Sequence, residues 1–512
     1  MDYHVTKEAL AVCETVFDGV QEQPVDLDFT LPDYCPDIQR ILKCQVYPRI
    51  HSRSISGDRL EIEGNVTVKL LYLDEDRAAV RCCEHTESFS ASLNLKKSPQ
   101  NAVALTKTQV EYVNCRAVSP RKLDIHGAFS ICARVLSRVE QDIVCSIPGD
   151  DIQQKVKPVQ TGSVTGISQQ QFTVSEVLEI GQGKPEAESI VRTDVCAVME
   201  DYKAIANKVI LKGNILIKTL YAGNMDSGEL ETMEYTIPVS QIVDVEGIDD
   251  GGLCEAHLDI LSASLQIRSD SDGQDSLLEA DIRLTATVIA YAQTTLNLVT
   301  DAYSTCYDLQ LEYEQIRLES MTGALHDNYV CKNTVEVGEA GISRVIDAWN
   351  EIRSATAQVE GGQLIYKGKF NICILALNQE EEPVYLEKMF DFTYAREWSE
   401  AIGNLRCEAE AAMLSISYRL LGGTGIEIRA ELGLQAFVFR SETCQVVAAA
   451  SADETKPRAR DESASLIIYY ADAGEKIWNI ARDYCTSAEA ILQENNLTEE
   501  VLENRQMLLI PV

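Results

Sequence analysis

The sequence has few basic residues for its length. Lys and Arg number 45 against 80 Asp and Glu, which gives 512 residues a formal net charge of −35. A surface this acidic repels nucleic acids and anionic membranes, so neither is an expected partner. No apolar run approaches the roughly 20 residues that a membrane-spanning helix requires. We therefore expect a soluble chain with no transmembrane segment.

An export signal is also missing from the sequence as given. The opening residues MDYHVTKEALAVCETVFDGV lack a basic stretch followed by an apolar run. Sixteen cysteines are spread from Cys13 to Cys485 through apparent strands, and none falls in a C-x-x-C motif. In a chain that is not exported, we expect these cysteines to be reduced thiols packed as small apolar groups. The expected location is the cytoplasm.

Motifs that carry catalytic chemistry are absent. The sequence contains no phosphate-binding P-loop, dinucleotide-binding or nucleophile-elbow motif. Its six histidines do not fall at the spacing of metal ligands. The segment Asp270–Asp275, DSDGQD, resembles a calcium loop, but its glycine comes two residues early, so we interpret it as a hairpin turn. We expect no catalytic residue, metal or cofactor, and hence no enzyme.

What the sequence does contain is a long repeat. Leu60–Tyr72, Val209–Tyr221 and Leu364–Ala376 each alternate apolar and polar residues around a central glycine. Such alternation over 13 residues predicts long antiparallel strands with one buried face. The glycines Gly64 and Gly213 are 149 residues apart, and Gly368 follows after another 155.

A second strand type repeats with nearly the same period. Leu123–Val135, Leu278–Ala290 and Ile426–Val438 carry small central residues 153 and 150 positions apart. Two independent markers with one period indicate tandem domains. A glycine inside a strand weakens it, so its recurrence indicates a bulge or a close backbone approach. The expected fold is mainly β, with three tandem antiparallel β-sandwich-like repeats.

The repeats imply domain limits. We place repeat 1 with an N-terminal extension at 1–150, repeat 2 at 160–310 and repeat 3 at 325–450. The polar stretch Ile147–Gly166 ends the first repeat, whereas the second boundary, near Tyr307–Val330, is less marked. Residues 451–465 are charged and nearly free of large apolar groups, which is typical of a flexible linker.

The extension contains a proline-bounded segment, Phe29–Cys44, with the sequence FTLPDYCPDIQRILKC. Its residues Ile38, Ile41 and Leu42 recur at helical spacing. Two interpretations remain open for this segment. It either docks a partner, or it packs over the first sandwich as a connector, which is the commoner role of such segments.

The last 47 residues have a different pattern. Leu466–Tyr470 predicts a short strand, and Ile477, Ile480, Ala481 and Tyr484 lie on one face of a helix of about ten residues. Thr486–Glu489 has the pattern of a capping box that begins a second helix, and Asn495 or Asn496 can end it. A strand closes the chain. The predicted order in residues 466–512 is βααβ, a small α+β domain.

This segment resembles the LysM domain. The resemblance rests on the strand with tyrosine, on GEKIWNIA (Gly474–Ala481), on ILQENNL (Ile491–Leu497) and on LLIP (Leu508–Pro511). LysM domains bind N-acetylglucosamine polymers in a groove between two loops, which correspond here to Ala471–Ile477 and Asn495–Arg505. The resemblance implies the following site residues for a partner or glycan: Asp472, Gly474, Glu475, Lys476, Ile477, Trp478, Asn495, Asn496, Leu497 and Arg505.

One of these residues allows two interpretations. Trp478 either packs over the core of the small domain or lies partly exposed at the edge of the helix, where it can contact a partner. We take the second interpretation as a hypothesis, because the inward stripe of the helix is already complete without Trp478. Lys476 is then expected to add a charged contact at the rim.

The whole chain resembles the clostridial spore-coat morphogenetic proteins of the SipL type. The resemblance rests on the strand pattern EGNVTVKLLY (Glu63–Tyr72) in a tandem body that precedes a LysM domain. It implies a non-enzymatic scaffold or adaptor at the forespore surface, in the mother-cell cytoplasm. There its LysM domain would bind the ATPase that forms the basement layer of the spore coat. The alternative is a carbohydrate-binding protein that recognises peptidoglycan or chitin-like N-acetylglucosamine polymers.

Overall fold

A computed structural model describes most of the chain. The described residues are 2–75, 79–181, 183–224, 229–269, 276–338, 341–399, 404–422, 425–458 and 465–511. The predicted turn at 270–275 lies outside them. Among the described residues, no helix has the length and apolar character needed to cross a bilayer.

In the described residues, eighteen long strands form the body, six in each repeat. In the first repeat they are β1 (Thr6–Thr30), β2 (Ile38–Ser56), β3 (Arg59–Asp74), β4 (Val80–Asn94), β5 (Ala102–Ser119) and β6 (Lys122–Ser146). In the second they are β7 (Ile152–Glu179), β8 (Ser189–Ile205), β9 (Lys208–Asn224), β10 (Glu229–Asp244), β11 (Leu253–Arg268) and β12 (Leu277–Ser304). In the third they are β13 (Tyr307–Glu336), β14 (Arg344–Glu360), β15 (Gln363–Leu377), β16 (Pro383–Glu397), β17 (Asn404–Leu421) and β18 (Gly425–Pro457).

The same topology occurs three times. Each repeat has a three-stranded antiparallel meander, β2-β3-β4 in the first, β8-β9-β10 in the second and β14-β15-β16 in the third. Its second sheet places the last strand of the repeat between the first and the fifth, as in β1-β6-β5. Apolar faces of the two sheets pack on each other, and the prediction of mainly β, antiparallel repeats is confirmed.

The repeat glycines occupy equivalent places, as predicted. Gly64, Gly213 and Gly368 lie in the central strands β3, β9 and β15. A Cβ atom on each would lie 2.2 to 2.5 Å from a backbone carbonyl oxygen of the neighbouring strand. Strand β2 has a register shift at the residues that pair with Gly64, and β8 has one opposite Gly213. Only glycine allows so close an approach, which explains why it recurs.

The three meanders meet at their outer faces. Leu71, Leu220 and Leu375, each seven residues after a repeat glycine, are at most 2% exposed and belong to one apolar cluster. The cluster explains why the strand ends read as continuous apolar runs: both faces are buried there. Across the ladder from these leucines, the three equivalent positions carry Lys43, Arg192 and Asp347.

Two of these equivalent residues form a buried ion pair between repeats. Arg192 donates to Asp347 at 2.7 Å, and Lys218 lies 3.2 Å from the same carboxylate. The Arg192 guanidinium also stacks over the ring of Trp349, 4.2 Å from its centre. Burial alone would raise the pKa of Asp347, but Arg192 and Lys218 hold it below its ordinary value. The pair fixes the second repeat against the third.

The segment Phe29–Cys44 is not helical. Ile38 begins strand β2, so the helical interpretation of Ile38, Ile41 and Leu42 is wrong. Strand β2 has register shifts between Ile38 and Arg40 and between Ile41 and Lys43. Each bulge adds one residue, which places residues three apart on one face and imitates helical spacing. Between β1 and β2, residues 31–37 form a loop.

The connections between repeats are shorter than the sequence predicts. Strand β7 begins at Ile152, within the polar stretch assigned to a boundary, and β13 begins at Tyr307. Strand β18 continues to Pro457, over the first residues of the predicted linker, whereas 459–464 lie outside the described residues. The residues at these strand ends resemble a linker in sequence because many of them are exposed and polar.

Four short elements follow in the described part of the C-terminal segment, in the predicted order. They are β19 (Leu466–Ala471), α1 (Ile477–Asp483), α2 (Ala488–Glu494) and β20 (Gln506–Pro511). Strand β19 pairs with β20 in antiparallel register, and both helices pack on one face of this hairpin. We call residues 465–511 the C-terminal module. Helix α1 has seven residues, fewer than the predicted ten.

Candidate binding site in the C-terminal module

Backbone hydrogen bonds hold the two predicted groove loops together. Gly474 donates to the carbonyl of Leu502 at 2.7 Å, and Leu502 donates to that of Glu475 at 3.0 Å. Ile477 donates to the carbonyl of Glu500 at 2.8 Å. Gly474 has φ +90°, a conformation that other residues adopt only with strain. The loop after β19 is therefore fixed against the loop before β20.

The charged site residues lie at the surface of these loops. Arg505 and Asp472 form an ion pair at 3.3 Å, and each side chain is 75% exposed. A pair this exposed contributes little stability. Glu475 accepts hydrogen bonds from the Tyr469 hydroxyl at 3.0 Å and from the backbone N–H of Asp472 at 2.9 Å. The bond to Glu475 raises the pKa of Tyr469 above its ordinary value. Asp472 and Arg505 thus present both signs of charge to a ligand.

The other predicted residues divide between surface and core. Lys476 is exposed and precedes α1, whereas Ile477 is fully buried in the module core. Asn495 exchanges hydrogen bonds with the backbone of Leu509 at 2.7 Å, so its amide holds α2 to strand β20. Asn496 is exposed with φ +53°, and it is the asparagine that ends α2 with a positive φ. Leu497 is half-buried against the module core.

The start of α2 differs from the predicted capping box. Ser487, not Thr486, is the N-cap, and its side chain accepts a hydrogen bond from the N–H of Ala490 at 3.1 Å. Glu489 instead accepts from the side chain of Gln493, one helical turn later. Both Thr486 and Ser487 are residues that favour an N-cap, so the sequence leaves the choice between them open.

Trp478 contacts the body of the protein. It is 9% exposed, and its indole Nε1 donates to the Asp301 carboxylate of strand β12 at 2.8 Å. Its ring meets that of Tyr303 edge to face, with centroids 4.9 Å apart. The expectation of a partly exposed Trp478 is therefore wrong. In an isolated module the edge of α1 would be exposed, but in the whole protein Asp301 and Tyr303 cover it.

Further polar contacts join the module to the body. Arg482 also donates to Asp301, and the Tyr303 hydroxyl donates to the carbonyl of Thr486 at 2.8 Å. Arg458, just after β18, donates to the carbonyl of Arg482 at 2.7 Å. No sequence signal identifies Asp301 or Tyr303, because they lie about 180 residues before their partners in an ordinary strand pattern. With α1 docked on the second repeat, the two loops remain accessible.

A second polar cluster, which the sequence does not reveal, lies where the three repeats meet. Arg134 of the first repeat contacts Glu255 of the second and, at 2.5 Å, Glu408 of the third. The His257 ring lies 3.1 Å from Glu255 and 3.7 Å from Glu410. Burial alone would lower the pKa of His257, but its bonds to these carboxylates raise it to about 10. The charges pair within the protein and join its three repeats.

Comparison with known proteins finds a match in parts of the first two repeats. A family model described as the SPOCS domain of SipL matches residues 37–118 and 186–268. These regions coincide with strands β2–β5 and β8–β11, the meander and one strand of the second sheet in each repeat. Neither the curated proteins nor the solved structures gave a match. Two regions of the chain are therefore similar to the SPOCS domain of SipL.

Proposed function

We propose that the protein is a non-enzymatic scaffold in spore coat assembly, whose C-terminal module is a LysM domain that binds the coat morphogenetic ATPase. The proposal places it in the mother-cell cytoplasm at the forespore surface. The observation that carries it is the pair of matches to the SPOCS domain of SipL, which supports a sporulation-related protein.

The geometry of the module supports a binding role. The loops 471–477 and 495–505 are joined by backbone hydrogen bonds and expose Lys476, Asp472 and Arg505. A surface that is rigid before binding loses less entropy on association. Helix α1 is held by Asp301, so the loops form the part of the site that a partner reaches without moving the module.

Affinity measurements with purified full-length protein and purified coat ATPase test the proposal. We expect Lys476→Glu to weaken binding by about tenfold, because it reverses a charge on the exposed loop. Lys367→Glu is the matched control, since Lys367 is an exposed lysine on β15, far along the chain from the module. If the ATPase does not bind the wild-type protein, or if both variants bind as the wild type does, the proposal is wrong.

The glycan alternative is tested in the same series. A chitin hexamer replaces the ATPase, and its binding is measured to the wild-type protein and to the Arg505→Gly variant. In the proposed function the wild-type protein does not bind the hexamer, because Arg505 places a bulky, charged side chain on a loop that a sugar would approach. Saturable binding of the hexamer by the wild type would favour a carbohydrate-binding protein.

A further inference from the structure

We propose that the loop between β1 and β2 in the first repeat is a preformed docking site that inserts Tyr34 into an apolar pocket of a different protein. We call residues 31–37 the Tyr34 loop. Tyr34 is 86% exposed, which is the highest exposure of any large hydrophobic side chain in the described residues. An aromatic side chain that is exposed in the free protein contributes the free energy of its burial only when a partner covers it.

Buried neighbouring side chains and hydrogen bonds hold the Tyr34 loop against the first repeat. Leu31 and Cys35 on either side of Tyr34 are 2% and 7% exposed, and Ile38, which begins β2, is 6% exposed. The backbone N–H of Cys35 donates to the carbonyl of Pro32 at 2.9 Å, which closes a tight turn with Tyr34 inside it. The Tyr72 hydroxyl donates to the carbonyl of Pro36 at 3.1 Å. These anchors direct Tyr34 to the outside.

Hydrogen bonds from one arginine also hold the loop in place. Arg121, in the turn between β5 and β6, donates to the carbonyls of Pro32 at 2.8 Å and Cys35 at 3.0 Å. It also donates to the Asp37 carboxylate at 2.6 Å. A loop fixed in this way loses little conformational entropy when a partner binds. Tyr34 is therefore presented on a rigid support.

The second repeat provides an internal comparison. Its loop repeats two of these hydrogen bonds at positions 149 residues later: the N–H of Lys184 donates to the carbonyl of Gly181, and the Tyr221 hydroxyl donates to that of Pro185. The residue equivalent to Tyr34 is Gly183, with φ +85°. The loop scaffold therefore does not require a tyrosine at its tip. This difference points to binding, not folding, as the role of Tyr34.

The negative charge next to Tyr34 and on the whole chain indicates what kind of partner surface fits this loop. Asp33, next to Tyr34, is exposed, and the whole chain carries a net charge of −35. A second copy of so acidic a chain would be repelled from this loop. The partner surface that fits is an apolar pocket for the tyrosine ring with a basic residue at its rim.

A photo-crosslinking experiment followed by affinity measurements tests this inference. The full chain is expressed from its own promoter with p-benzoylphenylalanine at position 34, or at position 112 as a control. Tyr112 is 52% exposed on β5 of the same repeat. We expect one heterologous protein to be crosslinked through position 34 and not through position 112.

The affinity of the purified crosslinked protein for the full chain then decides the matter. We expect Tyr34→Ala to weaken binding at least about tenfold, Tyr112→Ala to change it less than about twofold, and Asp33→Lys to slow association. Circular dichroism is expected to be unchanged in all three variants, since these side chains are exposed. Crosslinking to no protein or only to a second copy, or an unchanged affinity for Tyr34→Ala, overturns the proposal.

Discussion

The indole of Trp478 donates a hydrogen bond to the carboxylate of Asp301 at 2.8 Å, although 177 residues separate them. Arg482 contacts the same carboxylate from the next turn of α1. A module that looks self-contained in sequence is thereby seated on the second repeat.

We expect Asp301→Ala to release the module from the body. The change removes an acceptor shared by Trp478 and Arg482, and hydrogen bonds to a charged group contribute about 1.5–3 kcal/mol each. Amide hydrogen exchange in α1 should become faster while exchange in the β-strands is unchanged. Asp308→Ala is the control, because Asp308 is exposed nearby on β13. Equal exchange in α1 of both variants would mean that Asp301 does not hold the module.

The buried ion pair between repeats gives a second prediction. Asp347→Ala should lower the free energy of unfolding by about 3 kcal/mol, because it removes the fully buried carboxylate that pairs with both Arg192 and Lys218 and leaves Arg192 with the partly exposed Asp194. Removing both charges with Arg192→Met and Asp347→Ala should restore part of that loss. Urea unfolding measures each variant.

An exposed pair serves as the control for that series. Arg419 and Glu427 lie 2.9 Å apart on neighbouring strands of the third repeat, and the arginine side chain is 74% exposed. Arg419→Ala should cost at most about 1 kcal/mol. A loss of similar size for Asp347→Ala would contradict the structural role of the buried pair.

The repeat glycines can be tested by adding one methyl group. Gly368→Ala places a Cβ 2.2 Å from the carbonyl oxygen of Ser354, so the strands must separate. We expect a loss of about 1–3 kcal/mol in the free energy of unfolding, as for other overpacked sites. Gly338→Ala is the control, since no atom lies within 4 Å of its added Cβ. Equal stability of the two variants would show that the close approach is relaxed in solution.

The pKa of His257 predicts a dependence of stability on pH. Because its folded pKa of about 10 exceeds the ordinary 6.5, His257 stabilises the fold fully below about pH 6.5, and this contribution is lost as pH rises through about 10. Hydrogen bonding to His257 outweighs burial and lowers the pKa of Glu410 to about 2, so the contribution of Glu410 is lost only as pH falls through about 2.

Urea unfolding between pH 6 and 10.5 measures this dependence. The stability difference between the wild type and His257→Gln should shrink as pH approaches 10. His4→Gln is the control, because His4 is an exposed histidine far from this cluster in the sequence. A difference that stays constant with pH would contradict the charged state of His257 in the folded protein.

All sixteen cysteines are free thiols in the structure. We expect all sixteen to react with a thiol reagent in denaturant without reductant, in protein purified without air oxidation. Markedly fewer reactive thiols would show that native disulfides form.

The sequence predicts the strands well because alternation around Gly64 and its equivalents is a local signal. It also predicts the order of the four elements in the C-terminal module. It does not reveal which surfaces the elements bury against each other. Leu71 and its equivalents lie in continuous apolar runs, but these runs do not identify which repeat covers them, and the partners of Trp478 belong to another repeat. Bulges misled the interpretation of Ile38–Leu42, since an inserted residue changes the period of a strand.

The central claim is that the C-terminal module carries the binding of the coat ATPase. The most direct measurement compares the affinity of the purified ATPase for the full chain and for a chain that ends at Arg458, with circular dichroism of both. The account predicts that the shortened chain retains its β-sheet signal and loses measurable binding. If the shortened, folded chain binds the ATPase as tightly as the full chain does, the account is contradicted.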